Sequence, residues 1–230
     1  MPTYKGTFTD KNGTRNIEIL NDFEDFSVMI DGFQFSGYDL DGLALVDESS
    51  EEKALDHFDL RKISIHYSDP STEQSRSYAL ELYNYQLKLQ IPQIIIEVST
   101  KKEFEIMMDF QLELRERFEE AIISFQTNGE HFEAKSSLLE MVLDDLQYQF
   151  KGRYRFKNCY GCLYGDYSVY GQGFMGSILC FKNQKEAYVS TQNKDEYMQL
   201  EMHDSQQQEL YCCDEYEIRD KSVGCRGTVI

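Results

Sequence analysis

The sequence predicts an α+β fold made mainly of antiparallel β-sheet, a twisted sheet or a sandwich. One packing helix is expected near residues 137–150, and a cysteine knuckle in a C-terminal β-rich part. Three observations predict this. Short segments that alternate apolar and polar residues recur through the first 127 positions, the period that turns one strand face to a core and the other to water. Turn signals separate them, at Asp10-Lys-Asn-Gly13, Asp31-Gly32 and Thr127-Asn-Gly129. A helical period stands out over residues 137–150. The organisation expected is an acidic β-rich part over 1–130 and a helix plus cysteine-knuckle part over 131–230, packed together as one unit.

Taken in order, Tyr4–Phe8 and Asn16–Leu20 are alternating segments around the first turn, and Phe26–Ile30 and Phe33–Phe35 flank Asp31-Gly32, which favours a two-residue type I′ hairpin. Residues 39–59 carry eight acidic side chains against one lysine, so they read as a solvated, mobile loop or an exposed edge. Ile63–Tyr67 alternates and is followed by an Asp69-Pro70-Ser71 turn. Tyr78–Leu89 alternates with a change of phase near Tyr83, which suggests a bulge. Gln93–Val98, Glu103–Phe110 and Ala121–Phe125 continue the meander; Leu112–Phe118 fits either an extension of its strand or a helical turn. Ser137-x-x-Glu140 has capping-box form, with Leu139, Val142, Leu143, Leu146 and Phe150 on one stripe and Gly152 as a stop. Farther on, Ser177–Phe181 and Ala187–Ser190 read as strands, Asp195–Glu201 as a short helix, and Glu209–Cys213 and Glu215–Ile218 as closing strands.

The net charge is −18, and it is unevenly spread: residues 1–150 hold 30 acidic and 13 basic groups, residues 151–230 hold 11 and 10. A surface of that sign opposes nucleic-acid binding and suits either solubility or the steering of a basic partner. Asp47, Glu48, Glu51 and Glu52 are the candidate partner-binding residues. The first residues lack the apolar run of a signal peptide, and the longest apolar clusters are too short for a bilayer. The expectation is a cytoplasmic protein with no membrane association, in which cysteines stay reduced.

The stretch 153–181 holds three of the six cysteines and five of the sixteen tyrosines. Cys159-x2-Cys162 has the spacing with which two thiolates on a tight turn grip one zinc ion, and Gly161 permits the turn. Two more ligands are needed, from Cys180, Cys212, Cys213, Cys225 and His203; Cys212 and Cys213 are adjacent, so only one of them can join. The opposing reading is a set of buried, reduced thiols acting as small apolar groups. Gly171-Gln-Gly173-Phe-Met-Gly176 has the letters of a dinucleotide fingerprint but leads into a strand pattern, not a helix. Tyr160, Tyr164, Tyr167 and Tyr170 with Asp166 form an aromatic loop that suits packing first and protein contact second. Hydrolase, P-loop and zinc-protease motifs are missing, and His57, His66, His131 and His203 lie far apart.

The run Cys159-x2-Cys162-x-Tyr164-x-Asp166-Tyr167-Ser168-x-Tyr170-Gly171, followed by Phe174-x-Gly176-x3-Cys180-Phe181-Lys182, resembles the signature of an uncharacterised bacterial family, C-x2-C-x-[YF]-S-D-Y-S-P-Y-G and F-G-x3-C-F-[RK]. Cys213-Asp-Glu-Tyr216 and Gly224-Cys-Arg-Gly227 are similar to its later segments. The resemblance covers mainly residues 150–228; Gly165, Val169, Met175 and Cys225 depart from the pattern. It implies a four-cysteine zinc set of Cys159, Cys162, Cys180 and Cys213. It also implies a kinship with polymorphic-toxin immunity proteins. The function expected is therefore a non-catalytic cytoplasmic binding protein that neutralises a cognate, basic toxin domain through an acidic surface. The alternatives are an adaptor domain with an unrelated partner, or an enzyme using a cysteine or a carboxylate cleft.

Overall fold

The computed structural model describes residues 1–64, 78–167, 174–191, 193–200 and 205–224. The local turn chemistry is realised at both early hairpins. β1 (Thr3–Asp10) and β2 (Gly13–Asn21) close with Asp10 opposite Gly13. β3 (Phe26–Ile30) and β4 (Phe33–Gly37) close around Asp31 and Gly32, whose φ of 51° and 86° are the two left-handed positions of a type I′ turn.

Residues 39–59 depart from the expected loop. They form β5 (Ala44–Leu45), a 3-10 turn over Glu48–Ser50 and the helix α1 (Glu51–His57). Leu40, Leu43, Leu45, Ala54 and Phe58 in this stretch are buried, so apolar anchors spaced among the acids hold it against the core. β6 (Leu60–Ser64) follows; the remainder of the expected strand to Tyr67 and the Asp69-Pro70-Ser71 turn lie outside the described residues.

β7 (Tyr78–Leu82) and β8 (Tyr85–Glu97) correct the expected bulge: the change of phase marks the break between two strands, with Asn84 at φ 56°. Gln93–Val98 is no separate strand but the continuation of β8 up to Glu97. β9 (Glu103–Arg115) also runs longer than its clearest pattern, which resolves Leu112–Arg115 as strand. β10 (Phe118–Thr127) turns through Asn128-Gly129 into β11 (Glu130–Ser136), a strand the sequence did not suggest because only Phe132 and Ala134 point inward. The helix α2 (Leu139–Gln149) buries Val142, Leu143 and Leu146, with Phe150 at its end. Its start corrects the capping box: Leu138 is the N-cap and no side-chain cap bond forms there, while Ser136 Oγ accepts the Leu138 N–H.

After β12 (Tyr154–Phe156) come β13 (Gly165–Asp166), β14 (Ser177–Cys180), the helices α3 (Lys185–Ser190) and α4 (Lys194–Met198), and β15 (Ser205–Gln208). Residues 187–190 are thus helical, not a strand; they bury Tyr188 by a helical face. The expected closing strands 209–213 and 215–218 are also corrected. These residues run as an irregular strap whose carbonyls accept from the cysteine turn, and only Ile218 makes a β-bridge, to Cys162.

Among the described residues, twelve strands form one antiparallel sheet in the order β11-β10-β9-β8-β1-β2-β3-β4-β5-β7-β6, with β12 added to β8; β13-β14-β15 form a second sheet. One core cluster runs from Tyr4 to Leu210, and a smaller one gathers Cys162, Leu163, Tyr164, Phe181, Tyr188, Tyr197 and Val223. No helix among the described residues is long and apolar enough to cross a membrane.

One strand changes neighbours. β8 pairs β1 up to Gln90 and meets the β12 side again from Ile94 onward, so residues 91–93 face a gap on that side. Pro92 sits in it. A residue's N–H and C=O point to the same side of an antiparallel strand, and the Ile94 carbonyl accepts from Lys157 on the β12 side. Pro92, two residues earlier, therefore aims its missing donor at the gap, where no ladder bond is lost. Its carbonyl accepts from Gln93 Nε2 at 2.9 Å.

Candidate functional site

The same gap positions the cysteine turn. Gln93 occupies an inward position of β8 where an apolar residue is otherwise the rule, and its Oε1 accepts from buried Asn158 Nδ2 at 2.8 Å. Asn158 Oδ1 in turn accepts the Gly161 N–H at 3.1 Å, which folds residues 158–161 back on themselves. Gly161 is required by close approach, because a Cβ there would lie 1.9 Å from the Phe156 carbonyl.

The strap closes over this turn from the other side. Cys159 N–H donates to the Tyr211 carbonyl at 2.6 Å, Leu163 N–H to Glu217 at 2.7 Å, and Arg219 N–H to Gly161 at 3.0 Å. Cys180 lies opposite Gly165 in the second sheet. Cys159, Cys162 and Cys180 are buried free thiols, and Cys212 and Cys213 are half-buried ones. The structure thus brings Cys159, Cys162, Cys180 and Cys213 into one neighbourhood. Burial pushes the Cys159 thiol far above its ordinary range, and the sulfurs of Cys162, Cys180, Cys213 and Cys212 add to the effect. Burial likewise raises Cys162 and Cys180, while backbone N–H groups of Glu217 and Tyr164 at the first, and of Lys182 at the second, act in the opposite sense. Such N–H groups are what a thiolate accepts. Among the described residues, however, no group of three or more His, Cys, Asp or Glu side chains is gathered tightly enough to hold a metal ion. His203 and Cys225 lie outside the described residues.

A buried cation that the sequence did not single out lies beneath the turn. Arg219, 1% exposed, donates to the carbonyls of Cys162, Leu163, Gly165 and Val223 and to the Tyr188 hydroxyl. The Tyr188 hydroxyl donates to buried Asp166 at 2.9 Å. Tyr160, Tyr164 and Tyr167 are buried as well, so this part of the tyrosine loop packs rather than faces a partner, and Tyr170 lies outside the described residues.

The acidic candidates share one surface element. Asp47 caps the 3-10 turn, its Oδ1 accepting the Ser49 N–H at 3.0 Å and the Ser49 hydroxyl at 2.7 Å, which holds its pKa below the ordinary value. Glu51 accepts from the Tyr78 hydroxyl at 2.8 Å. Glu48 and Glu52 are exposed. Glu51 and Glu52 stand in the first turn of α1 and His57 in its last, the polarity that a helix dipole favours. The pattern Asp47-x-Ser49 followed by Ala54 and Phe58 is the signal that could have found this helix.

His57 Nε2 lies 2.9 Å from Asp31 Oδ2, and the ring stacks on Phe33; His131 is exposed on β11. His66 lies outside the described residues, as do Gly171 and Gly173 of the glycine-rich run, whose last residues lead into β14.

No curated protein and no solved structure matches the chain. The model of a family of unknown function (DUF6304) matches residues 2–165, from the start of β1 through the cysteine turn. That span is well over half of the sequence, and the chain therefore belongs to this family.

Proposed function

We propose that the protein is a non-catalytic cytoplasmic binding protein, an immunity protein that neutralises a cognate toxin domain of basic surface. The observation that carries this reading is the acidic edge formed by Asp47, Glu48, Glu51 and Glu52. It is anchored by buried Ala54 and Phe58 and by the cap at Asp47. A prearranged acidic element speeds and selects encounter with a basic partner. The resemblance of residues 150–228 to immunity-associated sequences points the same way.

The test is binding to the product of an adjacent toxin gene. Affinity should fall about tenfold or more between low and high salt, as screening of exposed charges requires. The double substitution Glu48→Lys/Glu52→Lys should weaken binding about tenfold at a temperature where circular dichroism shows the variant folded, since Glu52 in the first turn of α1 also supports the helix. Binding that ignores salt and both substitutions would refute the reading.

In the same proposal Cys159, Cys162, Cys180 and Cys213 hold a structural zinc ion, which when bound would tie the turn, the second sheet and the strap together. The Cys159-x2-Cys162 spacing on the tight turn and the N–H groups acting on Cys162 and Cys180 support this. Metal analysis of protein prepared under reducing conditions should give about one zinc per chain, lost in Cys159→Ser/Cys162→Ser. Metal-free protein of unchanged stability would leave packing as the role of these thiols.

A further inference from the structure

The gap beside β8 opens into a cleft of about 380 Å3 on the surface of the large sheet. Its walls are mostly apolar: Pro92 and Ile94 from β8, Leu210 and Tyr211 from the strap, and Phe23 from the β2–β3 connection. Phe23 and Tyr211 meet at 5.1 Å between ring centroids, tilted by 60°. Both rings are only partly buried.

Phe23 holds this place at a cost. Its φ is 70°, a left-handed conformation that a bulky residue seldom adopts. Asn21 Oδ1 fixes it by accepting the Phe23 N–H at 2.8 Å. The result is an aromatic ring carried over the strap by a turn that glycine would occupy without strain.

The surroundings are acidic. Asp22, Glu24 and Asp25 flank Phe23 and are exposed, and exposed Glu105 lines the cleft. Lys157 also lines it, but its ammonium is ion-paired with Glu103 at 2.6 Å and lies within the influence of Asp214. An apolar slot with an excess of carboxylates around it favours an occupant that is apolar at its tip and cationic beside it.

We propose that this cleft is a docking site for a basic segment of a protein partner, which seats one aromatic side chain against Phe23 and Tyr211 while its cationic neighbours meet Asp22, Glu24, Asp25 and Glu105. It involves none of the α1 acids, goes beyond the function proposed above, and stands or falls separately from it.

The test uses the full chain and three labelled pentapeptides, Lys-Lys-Phe-Lys-Lys, Lys-Lys-Gly-Lys-Lys and Glu-Glu-Phe-Glu-Glu, with fluorescence anisotropy as readout. The glycine peptide measures attraction by net charge alone. The phenylalanine peptide should bind at least about tenfold more tightly than it, equivalent to about 1.4 kcal/mol, and the glutamate peptide should not bind. Phe23→Gly should abolish that tenfold advantage while the melting temperature stays within a few degrees, because glycine suits the left-handed turn. Glu48→Lys/Glu52→Lys should retain the advantage, which separates this cleft from the α1 surface. Equal affinity for the phenylalanine and glycine peptides, or an advantage that survives Phe23→Gly, overturns the proposal. Phenethylammonium binding as tightly as the peptide would reassign the cleft to a small cationic ligand, and self-association lost in Phe23→Gly would reassign it to a second copy; either also overturns it.

Discussion

Arg219 donates to four backbone carbonyls on two sides of the cysteine turn and to one hydroxyl, while almost fully shielded from water. A guanidinium can do this because its five donors are arranged in a rigid fork, which an ammonium cannot imitate. Replacing Arg219 with Met strands several buried acceptors at once. The expected loss is about 3–5 kcal/mol, read as a lower urea midpoint, and Arg219→Lys should recover less than half of it. A loss below about 1 kcal/mol would show that water satisfies these carbonyls. No sequence pattern marks Arg219, because its partners are backbone groups that any residue supplies. Asp166 was visible only as one acid in a tyrosine loop, and its link to Tyr188 depends on α3 and β13 being brought together.

The elements show the same division between local and distant causes. The hairpins at Asp10–Gly13 and Asp31-Gly32, and the turn at Asn128-Gly129 that ends β10, were legible because turn type is fixed by residues within the turn. The helix stripe of α2 was legible for a similar reason, though its capping was not. β11 and α3 were hidden because their inward residues are few and acquire a partner only through the sheet or the second core. The length of β8 was obscured by Pro92, which ordinarily ends a strand and here is tolerated because its neighbours change beside it. The relay from the Pro92 carbonyl through Gln93 and Asn158 to the Gly161 N–H joins sheet to turn. Asn158→Ala leaves buried partners on both sides and should cost about 1–3 kcal/mol. Its effect should extend to the thiols, measured as faster labelling of Cys159 and Cys162 by a maleimide; unchanged labelling would show that the strap alone holds the turn. Gly161→Ala should be worse, since backbone oxygen rather than a yielding side chain meets the new methyl group.

Across the whole molecule the loop 38–42 joins the two sheets. Tyr38 donates to Gln206 at 3.0 Å, Leu40 N–H to the Phe174 carbonyl at 3.0 Å, and Phe174 N–H to Asp41 Oδ1 at 2.7 Å. Asp39 lies in this seam. Burial above all, then the carboxylates of Asp41 and Glu81, push its pKa up from 3.8 to about 7, against the Gly42 N–H. The folded protein thus keeps a proton that the unfolded chain releases near pH 4. Between pH 4 and pH 7 the folded state binds more protons, so this contribution to stability is complete below pH 4 and is lost as the pH rises through 7. Asp39→Asn should gain stability relative to the parent protein progressively over that interval and level off above it, in urea titrations at several pH values. A difference independent of pH would mean that Asp39 ionises normally.

The change of neighbours along β8 also dictates an order of assembly. Its partner β9 and the earlier strand β1 leave the ribosome well before Tyr154–Phe156, the residues that complete its far end. Until those arrive, residues 95–97 present an unpaired, isoleucine-rich strand border, the kind that recruits other chains. Glu97 lies within that border, and Glu103 and Glu105 stand on β9 across the strand from it, opposite Ile96 and Ile94. The acidity of the first two thirds of the chain then serves the nascent protein as well as the finished one, keeping neighbouring copies apart during the interval when the sheet is still waiting for its last strand.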